Sequence, residues 1–295
     1  MSENDRLAEQ FELLRPRLRA LAYRMLSSHA EAEDAVQETW IRLSRSGGAG
    51  VENLGAWLTT VIGRVSLNLL RARAARPEDP VGVHLPDPIV GHEPSAGPED
   101  EALLSDSVSL ALLIVLDSLT PAERVAFVLH DMFHLTFDEI APVLGRTTVA
   151  TRQLASRARR RVHNAQPDEA KVDLAARRQL VDAFFAATRN GDLAALVKAL
   201  DPEVVLRADG GAQLAAATAE VHGATDVANR AMLFNRAGAA VHAVLVNGSP
   251  GALVTQDGKP VSVMGFTVVR GRIGQIQILL DPTRLDALDL TALYA

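Results

Sequence analysis

Six arginine side chains fall within residues 146–161 of this 295-residue sequence, and this cluster is the part of the chain best suited to bind another molecule. They stand at positions 146, 152, 157, 159, 160 and 161, with no acidic residue between them. Guanidinium groups bind phosphate through their charge, and they can contact guanine through two parallel hydrogen bonds. The cluster therefore predicts a nucleic-acid interface. The alternative is an ordinary helix with a solvated basic face.

The residues around the cluster predict short helices joined by a tight turn. Thr120 with Glu123, and Thr136 with Glu139, have the spacing of a capping box, so each pair predicts a helix start. Gly145 ends the second of these helices, because glycine readily adopts the left-handed conformation found there. A helix, a short glycine-containing turn and a helix rich in Arg and Thr make a helix-turn-helix, whose second helix enters the major groove of DNA.

In that second helix, we expect apolar residues to pack inward and polar residues to face outward. The inward set is Val149, Leu154, Ala158 and Val162. The predicted DNA contacts are the polar residues of the turn and the helix: Arg146, Thr147, Thr148, Thr151, Arg152, Ser156, Arg157, Arg159 and Arg160.

Composition narrows the class of protein. An apolar fraction of 48% excludes disorder throughout, and the lack of cysteine excludes disulfides and cysteine-ligated zinc. No apolar run is long enough to cross a bilayer and the first ten residues have no signal core, so we expect a cytoplasmic protein without a membrane partner. A net charge of −6 is unexpected for a protein that binds DNA alone, so a large partner is expected to supply part of the affinity.

The first 76 residues predict three helices. An amphipathic helix over residues 6–26 is followed by a second helix that begins after Ser28, and residues 46–50 form a glycine-rich loop before the third. The second helix is acidic and the third is basic, and one explanation of this pattern is that the two helices simply have complementary charges on the protein surface. The second helix carries Asp34, Gln37, Glu38 and Arg42 on its outer face, and the third presents Asn53, Arg64, Asn68, Arg71 and Arg73.

Residues 32–38, AEDAVQE, followed by Ala56, Trp57, Leu58 and Asn68, resemble region 2 of the extracytoplasmic-function sigma factors. The helix-turn-helix resembles region 4 of that family, and the two motifs stand in the right order over residues 6–162. The resemblance implies that the outer face of the second helix binds the β′ clamp helices of core RNA polymerase. It also implies that the third-helix set contacts the −10 element of promoter DNA, and that the arginine-rich helix reads the −35 element close to the β flap.

The resemblance places a region 2 domain at residues 1–76 and a region 4 domain at residues 107–165. Residues 77–106 are rich in proline and acids, which predicts an extended linker rather than a packed element. His130 and His134 have the spacing of a metal pair but lack the glutamate of a zincin, so we predict core or surface histidines, no metal and no cofactor.

Residues 166–295 predict a third domain. A helix over residues 174–189 precedes turn signals at Asn247, Asp257 and Arg270, each followed by glycine, and these separate predicted antiparallel strands. Helices followed by a meander make an α+β unit. It resembles the SnoaL-like cone of the NTF2-like superfamily. The predicted fold class is therefore multidomain, with all-α sigma region 2 and region 4 domains followed by an α+β SnoaL-like (NTF2-like) cone domain.

Sigma factors with such a domain carry three short motifs, and this chain departs from the family wording in each. The resemblance implies that these segments dock on one another and restrain the DNA-reading domains in place of a separate anti-sigma factor. The corresponding residues are His84, Leu85, Pro86, Asp87 and Pro88 in the linker, Asp209, Gly210 and Gly211 in a loop, and Asp281, Pro282 and Arg284 near the end.

We predict no catalytic residues, because isomerases of this superfamily use a tyrosine in the oxyanion hole and the only tyrosines are Tyr23 and Tyr294. Asp209 and His222 could form an acid–base pair, but a loop aspartate is more often a turn former. Two alternatives stay open. The third domain could be a sensor of an unidentified small-molecule ligand or an enzyme, with a pocket lined by Phe184, Phe266, Val268 and Ile278 and with transcription as its output. The chain could also repress transcription by binding DNA without polymerase.

Overall fold

The computed structural model describes residues 3–46, 53–75, 82–92, 108–165, 173–233, 238–288 and 290. They form two compact units, one of residues 1–79 with 115–165 and one of residues 80–114 with 166–295. These boundaries differ from the predicted ones, because residues 82–92 of the stretch predicted as a linker, together with residues 108–114 of the predicted region 4 domain, belong to the second unit.

The first unit is helical throughout the residues that the structure describes. Its first three helices pack mutually, with Leu18, Leu21 and Met25 of the predicted amphipathic stripe fully buried. Asn53 caps the third helix, since its Oδ1 accepts a hydrogen bond of 3.0 Å from the Ala56 amide. These helices are α1 (Glu3–Leu26), α2 (His29–Ser46) and α3 (Leu54–Ala74).

The second half of the unit contains the predicted helix-turn-helix. Both capping boxes are confirmed, with Thr120 and Thr136 each accepting from the N3 amide of a glutamate that bonds back to them. Gly145 ends its helix in the left-handed conformation, at φ 63°. The helices of this half are α5 (Pro121–Phe127), α6 (Phe137–Leu144) and α7 (Thr148–Ala165), with a π-helical turn at Val128–Met132. The preceding helix, α4 (Leu110–Asp117), belongs to the first unit only from Val115 onward.

The predicted inward face of α7 is confirmed for Ala158 and Val162, half-buried at Leu154, and wrong at the start of the helix. Thr151 is completely buried, whereas Val149 is 66% exposed. The buried stripe is Thr151, Ala155, Ala158 and Val162, whose small side chains let the helix approach α5 and α6 closely. The Thr151 hydroxyl donates to the Thr147 carbonyl at 3.0 Å, so its burial leaves no polar group unpaired. Thr151 is therefore removed from the predicted DNA contacts.

Helix α3 packs directly on α5 and α6. Gly63 permits this contact, because a Cβ atom at this position would lie 2.9 Å from Cγ1 of Val143 on α6. The Arg124 guanidinium on α5 is 2% exposed; it pairs with Asp117 and donates to the Ser27 hydroxyl at 2.6 Å. The two helical halves of the first unit are thus held together by a tight backbone approach and a buried arginine.

The second unit is an α+β structure built on one seven-stranded sheet of order β1-β4-β5-β6-β7-β2-β3. All neighbouring strands are antiparallel except the parallel pair β2 and β7. The strands are β1 (Val90–Gly91), β2 (Leu200–Asp209), β3 (Ala219–His222), β4 (Ala239–Val246), β5 (Ser249–Gln256), β6 (Lys259–Val269) and β7 (Arg272–Leu279).

The predicted hairpin turns are confirmed. Asn247, Asp257 and Arg270 each have φ 50°, and a glycine with positive φ follows each of them. Two successive positive φ values match the right-handed twist of the flanking strands. The remaining elements are α8 (Leu174–Asn190), α9 (Leu193–Ala199), a 3₁₀ turn at Ala215–Ala217, α10 (Ala224–Leu233) and α11 (Pro282–Asp286).

Residues 82–92 are extended, as predicted for the linker, but they are packed rather than solvated. Leu85 is 1% exposed, and Pro86 and Pro88 are also buried. Val90–Gly91 adds a short strand to the edge of β4, and Asn247 exchanges hydrogen bonds with the backbone of Ile89. The linker prediction is wrong on this point, because paired backbone and apolar side chains fix the segment to the sheet. Residues 93–106 lie outside the described part of the chain.

Candidate functional site

The outward face of α7 is lined mainly by polar and basic side chains. Arg152, Gln153, Ser156, Arg157 and Arg160 line one open groove along the helix. The Arg152 guanidinium lies 5.4 Å from the centre of the Phe137 ring, a cation–π contact that holds it against the helix-turn-helix platform. Gln153 is not among the DNA contacts predicted from the sequence. Its position next to Arg152, and four residues after Val149, could have indicated that it belongs to the same face of the helix.

Three arginines of the cluster are bound by acids of the platform. Arg157 and Arg161 lie 3.4 and 3.1 Å from the two carboxylate oxygens of Glu123, and Arg159 lies 2.6 Å from Asp131. Glu123 is 4% exposed and also closes the cap of α5, so its carboxylate serves both the helix start and the arginines. These pairs fix the orientation of α7 on the platform.

The start of α7 uses its hydroxyl groups internally. The Thr147 hydroxyl accepts from the Ala150 amide at 3.2 Å, and the Thr148 hydroxyl donates to Asp138 at 2.7 Å. Arg146 is exposed in the turn. The predicted DNA contacts therefore fall into two groups. Some, such as Arg146 and Arg152, are exposed, and others, such as Thr147 and Thr148, form hydrogen bonds that set the position of the helix.

The predicted −10 residues on α3 are also divided. Asn68 and Arg71 are exposed, and Arg64 donates to the Pro142 carbonyl at 3.1 Å. Arg73 is directed inward, where it pairs with Glu31 and donates to the Leu26 carbonyl. Its guanidinium therefore closes the corner between α1 and α2, which leaves Arg64, Asn68 and Arg71 as the exposed residues of the set on α3. Residues 47–52, which include most of the predicted loop, lie outside the described residues.

The predicted polymerase-binding residues lie on the outer side of α2. Asp34, Gln37 and Arg42 are exposed, and Glu38 is half-buried. Glu38 and Arg42 form an i,i+4 ion pair of 2.9 Å, which gives them a common orientation. The set forms a mixed polar face that is free of large apolar side chains.

The three predicted regulatory segments meet at Asp209, the last residue of β2. Its Oδ2 accepts from the Leu85 amide at 2.8 Å and from Nη1 of Arg284 at 2.7 Å. Arg284 also donates to the Leu85 carbonyl at 2.6 Å and to Asp87 at 2.7 Å. His84 Nδ1 lies 3.4 Å from the same carboxylate. We call this group, His84, Leu85, Asp87, Asp209 and Arg284, the linker site.

The local backbone structure around the β2 loop and the start of α11 positions Asp209 and Arg284, the two central charged residues of the linker site. Asp281 caps α11, since its carboxylate accepts from the Thr283 amide at 2.9 Å, and Pro282 suits the first turn of a helix. Gly211 has φ 58°, and a Cβ atom there would collide with the Asp281 carboxylate. Gly210 is equally close to the backbone of Leu214. The glycines thus allow the β2 loop and the start of α11 to touch.

The Asp209 carboxyl is 2% exposed, and it is ionised nonetheless. Burial opposes ionisation, but hydrogen bonds from His84 and from the Leu85 and Gly211 amides, together with the Arg284 charge, outweigh it and lower the pKa of Asp209 to about 2. The linker site therefore holds a buried ion pair across the whole neutral pH range.

A cavity of about 140 Å³ lies between α8 and the sheet. Phe184 and Ile278 line it as predicted, but Phe266 and Val268 do not. Arg189 is the only titratable side chain among the described residues that line it. Its other lining residues are Phe185, Thr188, Leu206, Ala208, Ala231, Ala239, Val241, Val254, Val261, Ser262, Met264 and Leu280.

The remaining candidate residues have structural partners. His222 is exposed and bonds Glu220 at 2.9 Å, so it does not pair with Asp209. His130 Nδ1 lies 2.8 Å from the Leu135 carbonyl. Within the described residues, no group of His, Asp and Glu could hold a metal ion. No helix of that part of the chain has the length and apolarity needed to cross a membrane.

Comparison with known proteins gives a consistent result. Residues 10–76 match the family model for sigma-70 region 2, and residues 109–162 match that for sigma-70 region 4. The chain is 37% identical to the ECF RNA polymerase sigma factor SigJ of Mycobacterium tuberculosis, over 92% of this chain and 90% of that protein. It is 34% identical to the probable ECF RNA polymerase sigma factor SigI of Mycobacterium tuberculosis, over 98% of both. The crystal structure of SigJ matches with a TM-score of 0.75 at 32% identity, covering 96% of this chain and 99% of that chain.

Two sigma-70 domains on one chain define a promoter-specificity subunit of RNA polymerase. The chain belongs to the extracytoplasmic-function (ECF) family of RNA polymerase sigma factors. Its function is promoter-specific transcription initiation, with core RNA polymerase and promoter DNA as partners, and the match to the SigJ crystal structure includes the fused C-terminal α+β domain. The predicted family is confirmed, and so are two all-α sigma domains followed by an α+β domain. The alternative of a ligand-sensing or enzymatic domain coupled to a DNA-binding transcription regulator is not favoured.

Proposed function

We propose that three exposed faces of the first unit divide the work of a sigma factor. Asp34, Gln37, Glu38 and Arg42 on α2 bind the β′ clamp helices. Asn53, Arg64, Asn68 and Arg71 contact the −10 element, while the outer face of α7 reads the −35 element close to the β flap. The location of these faces on three different helices supports the proposal, because no residue then has to serve both polymerase binding and the reading of a promoter element.

The C-terminal domain regulates this activity in place of a separate anti-sigma factor. The observation that carries this proposal is the ion pair of Asp209 and Arg284, which holds the backbone and side chains of residues 84–87. Those residues belong to the segment that joins regions 2 and 4 along the chain. Binding of the linker to the fused domain therefore restricts the chain between the two DNA-reading domains.

In-vitro transcription with purified core RNA polymerase tests both proposals. The full-length protein is expected to direct initiation from its own promoter, and Arg284→Ala is expected to change the yield of transcript without changing the start site. A truncation series through residues 162–295 locates the regulatory segment. Absence of promoter-dependent initiation by every form would contradict the proposed function.

Replacing Asp34 with alanine is expected to weaken binding to core polymerase about fivefold, which corresponds to roughly 1 kcal/mol for a partly exposed charge at an interface. The side chain is exposed, so the fold should be unchanged. Fluorescence titration with core polymerase measures the affinity. Asp182→Ala on α8 removes an equally exposed carboxylate outside the proposed interface, and equal effects of the two substitutions would contradict the assignment.

A small ligand is a second candidate function of the C-terminal domain, as a modulator of the sigma activity. The cavity of about 140 Å³ is close to the size of an apolar cavity of about 150 Å³ that binds benzene. A second cavity shares Phe185, Arg189 and Val241 with it and is also lined by Arg178 and Asp182. The Arg178 guanidinium donates to the Gly251 and Val244 carbonyls and lies 3.9 Å from Asp182. Arg189, in contrast, is exposed and lines both cavities, so the Arg189 guanidinium favours an anionic end on the ligand. We therefore propose a small aromatic carboxylic acid as the ligand class.

Benzoate is expected to stabilise the protein, and uncharged benzyl alcohol to do so less. At tenfold excess over its dissociation constant, benzoate should raise the midpoint of thermal unfolding by roughly 2–4 °C. Ala231→Phe, which fills the cavity from α10, should abolish the rise. No shift with either compound, or an equal shift in the Ala231→Phe protein, would contradict a ligand in this cavity.

A further inference from the structure

Val149 stands out on the recognition helix because it is apolar and 66% exposed. Among the described residues of α7, it is the only large apolar side chain exposed to this extent. The buried stripe of the helix runs through Thr151, Ala155 and Ala158, so packing of α7 on its platform makes no use of Val149. Covering an exposed valine side chain removes apolar surface from water, and this stabilisation is not used within the first unit.

The position of Val149 is more informative than its exposure, since single apolar side chains are common on protein surfaces. Val149 is the second residue of α7, in the turn from which a recognition helix contacts base edges. Arg152 and Gln153 lie three and four residues further on, so all three side chains share one face of the helix. An apolar side chain therefore stands beside a guanidinium and an amide on the surface proposed to read DNA.

The chemistry of the major groove gives this valine a specific partner. Thymine is the base that presents an apolar group there, its C5 methyl, while the other groups on the floor of the groove are hydrogen-bond donors and acceptors. A valine cannot pair with those groups and would leave them without a partner if it covered them. Contact with a methyl group instead buries apolar surface on both molecules.

We propose that Val149 contacts the C5 methyl group of a thymine in the −35 element, and that it is a specificity-determining residue of this sigma factor. The inference rests on the proposed use of the α7 face for −35 recognition. Gln153, about 6 Å further along the helix, has the donor and acceptor that match adenine. Base pairs are about 3.4 Å apart, so the two side chains address positions one or two base pairs from each other.

Deoxyuridine tests the contact, because it lacks only the methyl group and keeps the hydrogen-bonding edge of thymine. Each thymine of the −35 element, on either strand, is replaced in turn, and binding of the promoter by the full-length protein with core polymerase is measured. One replacement is expected to weaken binding by the unaltered protein about threefold, as expected for loss of one buried methyl group. With Val149→Ala, the same replacement should have no effect.

Arg152→Ala is the matched control on the same face. It should weaken −35 binding about tenfold or more if the arginine contacts a base through two hydrogen bonds, yet it should leave the deoxyuridine effect unchanged. Thermal unfolding of Val149→Ala should match that of the unaltered protein, because the side chain is exposed. The effects of Val149→Ala and of deoxyuridine should be non-additive only at the contacted position.

Three results would overturn the inference. Deoxyuridine could have no effect at any position, the Val149→Ala protein could keep the full deoxyuridine effect, or Val149→Ala could weaken binding to core polymerase in the absence of DNA. Each of these leaves promoter-dependent initiation by the unaltered protein intact, so the proposed function survives. Failure of the unaltered protein to bind any promoter with polymerase would contradict the proposed function and the inference together.

Discussion

Substitution of Asp209 by alanine is expected to destabilise the second unit by about 3–5 kcal/mol, the usual effect of removing one partner from a buried ion pair. The substitution removes the more deeply buried of the two carboxylates that pair with the Arg284 guanidinium, so that only Asp87 remains, and it leaves the Leu85 amide without its acceptor. Native-state hydrogen exchange of the β2 and β7 amides measures the loss. The Leu85 amide itself should exchange much faster, because its hydrogen bond is gone.

Asp182→Ala is the control for this substitution. Asp182 lies 3.9 Å from Arg178 with its side chain 63% exposed, and such a pair contributes at most about 1 kcal/mol. Equal exchange rates in the Asp209→Ala and Asp182→Ala proteins would show that the linker site does not stabilise the second unit.

Asp209 also predicts a dependence of stability on pH. Its pKa is lowered from 3.8 to about 2 in the folded protein, so its contribution is fully present above pH 4 and is lost as the pH falls from about 4 through about 2. The loss should amount to roughly 2 kcal/mol. Asp209→Asn should lack this component of the acid transition while keeping a side chain of the same shape. An identical acid transition in the two proteins would contradict the assignment.

Substitution of Arg124 by alanine is expected to destabilise the first unit by about 3 kcal/mol. The side chain is 2% exposed, and its guanidinium joins α5 to Asp117 and to the Ser27 hydroxyl at the end of α1. Burial lowers the pKa of Arg124, with Asp117 opposing the shift, so the folded environment tolerates the charge only because these partners are in place.

The two tryptophans give this experiment a selective signal. Trp40 and Trp57 are the only tryptophans of the chain, and both belong to the first unit, so urea unfolding followed by tryptophan fluorescence reports on that unit alone. Arg42→Ala is the control, because its pair with Glu38 is 43% exposed and contributes little. If Arg124→Ala and Arg42→Ala shifted the urea midpoint equally, the buried arginine would have no special role.

Features that depend on a few neighbouring residues could be predicted from the sequence. The capping boxes of Thr120 and Thr136, the left-handed Gly145 and the hairpin turns follow from local chemistry, and each is present. The family was also predictable, because two motifs of fixed order and spacing identify it. The fold followed from the family and from the periodicity of the helices and strands.

Features that depend on distant partners could not be predicted. The phase of α7 is set by how closely small side chains such as Thr151 and Ala155 approach the platform, and hydrophobicity alone places Val149 inside instead. Arg73 is used within region 2 because Glu31, 42 residues earlier in the chain, lies beside it. The packing of residues 82–92 likewise requires the edge of β4 and the charge of Arg284, which no local pattern in the linker reveals.

The close approach of Gly63 to Val143 has a consequence for competition between sigma factors. Promoter elements at −10 and −35 are about 25 base pairs apart, or roughly 85 Å of duplex, whereas a unit of this size is only about 35 Å across. The first unit as folded here therefore reaches one element at a time, and it must separate along α3 and α6 to span both. Each 1.4 kcal/mol spent on that separation lowers the apparent affinity for polymerase tenfold. The lack of a side chain at Gly63, which lets Val143 approach α3, thus helps to set how abundant the factor must become before it displaces its rivals.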